Sequence, residues 1–210
     1  MILFDRVEQA MAEMPLVAIL RGLQPEHAAE IGQILVDAGF RLLEVPLNSP
    51  SPFQSIRILR ETLGENVLVG AGTVLDVADV KRLVDVGGQF VVTPNMSPVI
   101  IRAAIDSGLV PMPGFMTPTE AFAAVAAGAR YLKFFPANSL PITYLGGLLS
   151  VLPEFVRVLA VGGVDHTNST EYLTAGFHGL GLGSCLFKAD MTPPEIKAAA
   201  HKLVSSIKTG

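Results

Sequence analysis

The chain repeats one pattern eight times, a short apolar run followed by an amphipathic stretch, and this repeat limits the folds open to it. The runs recur about every 23 residues, which is the length that a parallel strand, a return helix and two short loops require. They are apolar on both faces, as expected of strands that lie between helical layers. The runs are LVAIL, RLLEV, VLVGA, QFVVT, LVPMP, RYLKFF, VRVLA and GLGLG, which begin at Leu16, Arg41, Val67, Gln89, Leu109, Arg130, Val156 and Gly179.

The segments between the runs carry signals for helix ends. Pro25 and Pro98 stand where helices would begin, and Gly39 and Gly108 stand just past their ends, which is the usual asymmetry. An amphipathic stretch at about residues 2–14 predicts a further helix before the first strand. Because no linker-like or low-complexity stretch interrupts the pattern, we expect residues 1–210 to form a single domain.

Eight strand–helix units are compatible with two α/β folds, a closed (β/α)8 TIM barrel and an open doubly wound sheet. Many doubly wound folds carry a glycine-rich nucleotide fingerprint. Gly70-Ala71-Gly72 resembles its start, but Leu75 stands where the third glycine belongs. The pattern therefore favours a (β/α)8 TIM barrel with an N-terminal helix.

The composition and net charge indicate which binding partners and which cellular compartment to expect. Half of the residues are hydrophobic and 16% are charged, which favours a large core and some surface covered by other subunits. A formal net charge of −4 argues against nucleic acid or an anionic membrane as a partner. The single Cys185 indicates a reducing compartment. Without an apolar run of ~20 residues or the charge order of a signal peptide, we expect a cytoplasmic protein.

Lys133 is the most informative polar residue, because it lies near the end of the sixth predicted strand, between aromatic residues. The active site of a barrel forms at the carboxyl ends of its strands. An apolar surrounding disfavours the ammonium and lowers the pKa of a lysine, which lets the amine attack a carbonyl. The alternative is a lysine at a strand edge that extends to solvent.

Glu44 lies within the apolar second strand, where a carboxylate is costly unless it is paired or functional. Imine chemistry needs a group that moves protons to and from the reacting carbon and nitrogen, and a carboxylate near the lysine can do this. The alternative is a structural partner of Lys133 or Arg21.

Two further strand ends carry candidate binding residues. Arg21, after the first strand, could bind a substrate carboxylate through its planar guanidinium, or it could form a salt bridge to a neighbouring acid. Thr73 follows Gly70-Ala71-Gly72, where small residues let the backbone approach a ligand. Its alternative role is a helix cap.

Glycine-rich loops follow the last two predicted strands. Gly162 and Gly163 follow the seventh, and Gly183 with Ser184 follows the eighth. Loops at these two strands are the usual phosphate site of a barrel, where backbone N–H groups hold the anion. Two tight turns without a ligand are the alternative.

The sequence offers no pattern for a metal site. The four histidines are scattered without metal-ligand spacing, and we expect surface or capping roles for them. Asp76 and Asp165 are expected to cap helices rather than bind a cation. The pattern is typical of a lysine-based mechanism that needs no metal and no other cofactor.

These residues resemble the KDPG/KHG aldolase family, in order and over nearly the whole chain. The resemblance implies a class I aldolase on a (β/α)8 barrel, usually a homotrimer, with a phosphorylated keto acid, pyruvate and glyceraldehyde 3-phosphate as its small-molecule partners. It implies a Schiff-base role for Lys133, an acid–base role for Glu44 and a pyruvate-side role for Thr73. It assigns phosphate binding to Gly162, Gly163, Gly183 and Ser184. The matching segments are Leu20-Arg21-Gly22, Leu43-Glu44-Val45, Pro46-Leu47-Asn48-Ser49-Pro50, Gly70-Ala71-Gly72-Thr73-Val74, Thr93-Pro94-Asn95, Lys133-Phe134-Phe135-Pro136-Ala137 and Val161-Gly162-Gly163.

The chain departs from the KDPG-type pattern at two places. Where those members carry Leu-Arg-Thr and Thr-Gly-Gly, this chain has Leu47-Asn48-Ser49 and Val161-Gly162-Gly163. Both variants resemble the branch of the family that acts on the C4 epimer, 2-dehydro-3-deoxy-6-phosphogalactonate. A threonine hydroxyl can bind a substrate hydroxyl and valine cannot, so the second change should alter the choice between epimers. The loss of the arginine leaves Arg21 to bind the substrate carboxylate.

Three other functions stay open on the sequence. The substrate could be KDPG or 4-hydroxy-2-oxoglutarate. The chain could be a phosphosugar isomerase or epimerase that uses Glu44 as a base without an imine. It could also be a non-catalytic phosphosugar-binding module. Only an imine-forming enzyme would gain a reduced pyruvyl adduct with borohydride.

Overall fold

A computed structural model describes residues 2–208. Strands and helices alternate along this range after a first helix. The strands are β1 (Leu16–Ile19), β2 (Leu42–Pro46), β3 (Leu68–Gly72), β4 (Phe90–Val92), β5 (Val110–Met112), β6 (Gly114–Phe115), β7 (Tyr131–Phe134), β8 (Arg157–Val161) and β9 (Gly179–Leu182). The helices are α1 (Leu3–Glu13), α2 (Pro25–Ala38), α3 (Pro52–Thr62), α4 (Val77–Asp85), α5 (Pro98–Asp106), α6 (Pro118–Ala126), α7 (Ile142–Leu149), α8 (Ser169–Thr174) and α9 (Pro193–Lys208), with a 3-10 turn at Ala137–Ser139.

The strands form one parallel sheet in the order β5-β4-β3-β2-β1-β9-β8-β7-β6. Its two end strands are consecutive in the chain, so the sheet curls into a barrel and the predicted (β/α)8 fold is confirmed. The fifth predicted strand differs from expectation, because Pro113 divides it into β5 and β6. Prolines donate no backbone hydrogen bond, and Gly114 N donates to the Thr93 hydroxyl at 3.3 Å in place of a ladder carbonyl.

Alternation along the strands sorts side chains into two layers. Leu42 and Tyr131 belong to an apolar cluster inside the barrel, whereas Leu43 and Leu132 belong to the larger cluster between strands and helices. Glu44 and Lys133 lie two residues beyond Leu42 and Tyr131, so they share the inward-facing side. The same period that builds the core therefore directs both groups into the barrel.

Helix α1 closes the amino-terminal end of the barrel, where the sequence predicts a first helix. Its residues Val7, Ala10 and Met11 pack into the interior cluster. The Tyr131 hydroxyl donates to the Glu8 carboxylate at 2.8 Å, which satisfies the polar tip of a buried ring. With this end filled, the polar groups of the interior are accessible from the carboxyl ends of the strands.

The helix ends agree with the sequence signals. Helix α2 begins at Pro25 and is followed by Gly39, whose φ of 115° is left-handed, and Thr117 with Glu120 forms a capping box at the start of α6. No helix within residues 2–208 has the length and apolarity needed to cross a membrane.

Candidate active site

Lys133 lies on β7, inside the barrel, with 7% of its surface exposed. Its backbone N–H donates to the Pro113 carbonyl at 2.8 Å, which fixes the strand beside the split of the sheet. The ammonium nitrogen is 4.7 Å from the centroid of the Phe135 ring. Burial lowers the pKa of Lys133, the charge of Glu44 raises it, and the charge of Arg21 lowers it. The net direction is downward, so the reactive neutral amine is more populated than in a free lysine.

Glu44 lies on β2, with 3% of its surface exposed. Burial raises the pKa of its carboxyl group, and the charges of Lys133 and Arg21 oppose that change. A raised pKa makes the carboxyl group more readily protonated than a free glutamate, so it can donate a proton as well as accept one.

Gly72, at the end of β3, makes the space that the Glu44 carboxyl group occupies. A Cβ atom added at Gly72 would lie 2.9 Å from Cγ of Glu44 and closer still to Cδ and Oε1. Any larger residue would therefore displace the carboxyl group. This dependence is absent from our sequence predictions, which treat Gly72 only as part of a small-residue stretch.

Arg21 follows β1 and has a neutral partner. Its Nη1 donates to Oδ1 of Asn48 at 2.5 Å, and the next residue, Gly22, donates its N–H to the Ser49 hydroxyl at 3.0 Å. The structure therefore joins the loops that follow β1 and β2. The partner of Arg21 is an amide, whereas the alternative of a salt bridge would require an acid.

The glycine loops after β8 and β9 lie on the same side of the barrel. Gly162 and Gly163 are both left-handed, with φ of 99° and 72°, and successive N–H groups in such turns form anion-binding concavities. A Cβ atom at Gly163 would be 2.5 Å from the Asn138 side chain. Both conformation and space therefore require glycine here.

One cavity of about 230 Å³ joins the predicted residues. Arg21, Glu44 and Lys133 line it together with the two glycine loops. Thr73, which has a left-handed φ of 56°, is not one of the described residues that line this cavity. Its role in substrate binding therefore stays a prediction. The residues that line the cavity are Ile19, Arg21, Glu44, Lys133, Phe135, Val161, Gly162, Gly163, Val164, Asp165, Gly181, Gly183, Ser184 and Cys185.

Gly181 is a lining residue that our sequence reasoning missed. It pairs with Val161 across β8 and β9, and a Cβ atom at Gly181 would lie 2.7 Å from a methyl carbon of Val161 and 3.3 Å from Ile19. Glycine thus leaves room for the Val161 side chain in the cavity wall. The run GLGLG shows which glycine faces Val161 only when the strand register is known.

The other polar residues singled out by the sequence have local partners. Asp76 accepts from Ala78 N at 2.9 Å and caps α4, as predicted. Asp165 accepts from the Thr167 N–H at 2.7 Å and from its hydroxyl at 2.6 Å in the loop before α8, whose N-cap is Asn168, so the predicted helix-cap role of Asp165 is wrong. His178 accepts from Val158 N at 3.1 Å. Within residues 2–208, no three His, Cys, Asp or Glu side chains are grouped so that they could hold a metal ion.

A parallel barrel with a buried lysine and a buried carboxyl group at its open end is the architecture of a barrel enzyme. The chain belongs to the KDPG and KHG aldolase family, whose model matches residues 7–201. The probable 2-dehydro-3-deoxy-6-phosphogalactonate aldolase of Rhizobium meliloti (strain 1021) is 46% identical over 196 residues, which are 93% of this chain and 92% of that protein.

Two further matches agree with this family. The 2-dehydro-3-deoxy-6-phosphogalactonate aldolase of Escherichia coli (strain K12) is 44% identical over 201 residues, 95% of this chain and 96% of that protein. A solved structure described as native KDPGal superposes with a TM-score of 0.92 at 41% identity, and the match covers 94% of this chain and 96% of that one.

Proposed function

We propose that the protein is a class I aldolase that cleaves 2-dehydro-3-deoxy-6-phosphogalactonate to pyruvate and D-glyceraldehyde 3-phosphate. The observation that carries the proposal is the shared cavity of Lys133 and Glu44, two buried groups whose charges are coupled. Burial acts on them in opposite directions, toward a neutral amine and a protonated acid. Imine formation needs this combination of nucleophile and proton donor.

In the proposed cycle the Lys133 amine attacks C2 of the keto acid. Glu44 transfers the protons that allow the carbinolamine to lose water and form a protonated imine. A base takes the proton of the C4 hydroxyl group, the C3–C4 bond breaks, and its electrons move into the imine to form an enamine. Glyceraldehyde 3-phosphate leaves, the enamine takes a proton at C3, and hydrolysis releases pyruvate and the free amine.

We assign the C4 proton to Glu44 as well, directly or through water. The Glu44 carboxyl group lines the same cavity as Lys133, and its raised pKa suits a group that alternates between acid and base. The charge of each group shifts the pKa of the other, so a change in the protonation of Lys133 alters the pKa of Glu44 and the reverse.

The two anionic ends of the substrate bind at different walls of the cavity in this proposal. Arg21 binds the carboxylate, with Thr73 at the pyruvate side. Gly162, Gly163, Gly183 and Ser184 bind the phosphate through backbone N–H groups and the serine hydroxyl. Lys133 lies in the same cavity, as the substrate's C2 between these ends requires.

In this proposal the galactonate epimer is preferred to KDPG, as the names of the two similar aldolases indicate, and Val161 is the residue expected to affect the choice between epimers. Its side chain lines the cavity and offers no hydrogen bond to a C4 hydroxyl group, whereas a threonine there would. The ratio of kcat/KM on the two epimers tests this choice, and a preference for KDPG or 4-hydroxy-2-oxoglutarate would contradict it.

We further propose that the protein is a cytoplasmic homotrimer. Exposed apolar side chains on the adjacent helices α5 and α6 and in the loop before α4 support self-association. They are Leu75, Val99, Ile105 and Phe122. Light scattering should give three times the chain mass, and Val99→Glu should lower it; a monomeric wild-type protein at micromolar concentration would contradict the trimer.

Borohydride reduction in the presence of pyruvate is the decisive experiment. The expected result is a reduced pyruvyl adduct on Lys133, identified by peptide mass spectrometry, with loss of aldolase activity. Lys133→Ala should give neither adduct nor turnover, while the exposed Lys81→Ala, on α4, should behave as wild type. An epimerase without an imine or a binding module would give no adduct, and activity retained by Lys133→Ala would refute the mechanism.

A further inference from the structure

Arg21 is the permanent positive charge that lines the active-site cavity in the described part of the chain. Lys133 is the other lining cation, but it must lose its proton to react. Two carboxyl groups also line the cavity. Asp165 accepts hydrogen bonds from Thr167, and Glu44 is buried within the barrel. Attraction of a substrate carboxylate therefore depends on where the Arg21 guanidinium points.

The side chain that holds Arg21 comes from the neighbouring strand–helix unit. Oδ1 of Asn48 accepts from Nη1 of Arg21 at 2.5 Å. Ser49 makes two hydrogen bonds that hold the loop after β2. Its N–H donates to Pro46 O at 2.9 Å, and its hydroxyl accepts from Gly22 N at 3.0 Å. A long arginine side chain loses substantial rotamer entropy when it binds a ligand, so a fixed acceptor preorganises it.

We infer that Asn48 is a positioning residue that orients Arg21 toward the substrate carboxylate and does so without neutralising its charge. The inference rests on the proposed function, because it assigns Arg21 to the carboxylate of the keto acid. An amide oxygen accepts the same hydrogen bond as a carboxylate oxygen but carries no net charge. The guanidinium thus keeps its full attraction for an anion.

The lack of charge on Asn48 also affects the pKa of Lys133. The positive charge of Arg21 lowers the pKa of Lys133 and of Glu44. An aspartate at position 48 would pair with Arg21 and cancel part of this field. The amine would then hold its proton more tightly, and imine formation would require a higher pH.

Two substitutions separate position from charge. Asn48→Ala removes the acceptor but leaves the charge of Arg21, and Asn48→Asp keeps an acceptor of the same size and adds a charge. Pyruvate carries the carboxylate without a phosphate, so the pyruvate concentration that half-saturates borohydride trapping reports on the Arg21 end alone. Inhibition by inorganic phosphate reports on the glycine loops.

For Asn48→Ala we expect the half-saturating pyruvate concentration to rise on the order of 10-fold, with unchanged maximal trapping rate and phosphate inhibition. For Asn48→Asp we expect a rise at least as large, together with a shift of the pH midpoint of trapping to higher pH. Gln33→Ala removes an exposed amide that donates to Asp37 at 2.7 Å on α2, and it should leave every value unchanged.

The outcomes distinguish this inference from the proposed function. No adduct in the wild-type protein would refute the proposed function itself. A normal adduct with wild-type pyruvate saturation in Asn48→Ala would overturn the positioning role alone. Restoration of wild-type saturation and pH midpoint by Asn48→Asp would overturn the requirement for a neutral partner, because the acceptor geometry would then suffice.

Discussion

Substitution of Gly72 by alanine tests whether the space beside Glu44 is part of the catalytic apparatus. Gly72 lies at the end of β3 with no left-handed φ, so alanine suits its backbone. The new methyl group would lie 2.9 Å from Cγ of Glu44 and closer to the rest of the carboxyl group. Since carbon atoms in contact prefer about 3.5–4.0 Å and the carboxyl oxygen would be approached most closely, the carboxyl group must move by at least about 1 Å.

The expected loss of activity follows from that displacement. A 1 Å misplacement of a catalytic group costs on the order of 10²-fold in rate, which lies within the range that general acid–base catalysis contributes. We therefore expect kcat of Gly72→Ala to fall about 100-fold, or about 2.7 kcal/mol in activation free energy. Overpacking should also lower the free energy of unfolding by about 1–3 kcal/mol.

A double-mutant cycle shows whether the loss passes through Glu44. Steady-state kcat is measured for wild type, Gly72→Ala, Glu44→Ala and the double variant, with urea unfolding of each. In the Glu44→Ala background the new methyl group meets no carboxyl group, so the second substitution should change kcat less than about 3-fold. Gly70→Ala, on the same strand, would meet Phe90 instead and should reduce stability without a comparable loss of kcat. An equal loss of kcat from Gly72→Ala in both backgrounds would refute the reasoning.

Four further outcomes are expected. Because the charge of Glu44 raises the pKa of Lys133, Glu44→Gln should move the pH midpoint of pyruvate trapping to lower pH, and a move to higher pH would contradict the coupling. Val161→Thr should change the ratio of kcat/KM between the two C4 epimers toward KDPG by on the order of 10-fold, measured by coupled detection of pyruvate. Thr117→Ala should lower the free energy of unfolding in urea by about 1 kcal/mol. The hydrogen bonds from Thr117 and Met116 lower the pKa of Glu120, so the stability that Glu120 adds should be full above its ordinary pKa and lost as the pH falls through the lowered value.

The inward direction of the catalytic candidates could be predicted from the sequence alone. Once the apolar runs are taken as strands, a period of two places Glu44 with Leu42 and Lys133 with Tyr131. The common end of parallel strands then brings both groups to one side of the barrel. These steps need only local pattern and topology, and the sheet order confirms the topology.

The contacts that tune these groups were beyond the sequence. Asn48 and Arg21 are 27 positions apart, and their hydrogen bond depends on how two loops pack after the barrel closes. The space that Gly72 leaves for Glu44 depends on register and side-chain direction between two strands. The split at Pro113 was partly accessible, since two prolines in LVPMP weaken a strand, but the Thr93 hydroxyl that replaces the missing ladder bond was not.

The barrel makes it possible to bury an amine and a carboxyl group together without losing the fold. Either group alone in an apolar interior would be costly if charged. Together they can be both charged or both neutral, and these two states differ by the position of one proton. Burial favours the neutral state and the attraction of opposite charges favours the charged state, so the two effects oppose each other. The charge of Arg21 disfavours the ammonium of Lys133 and favours the carboxylate of Glu44. Because these effects oppose each other, the pair can release and take up a proton during an imine cycle, and the α1 helix fills the far end of the barrel with apolar side chains.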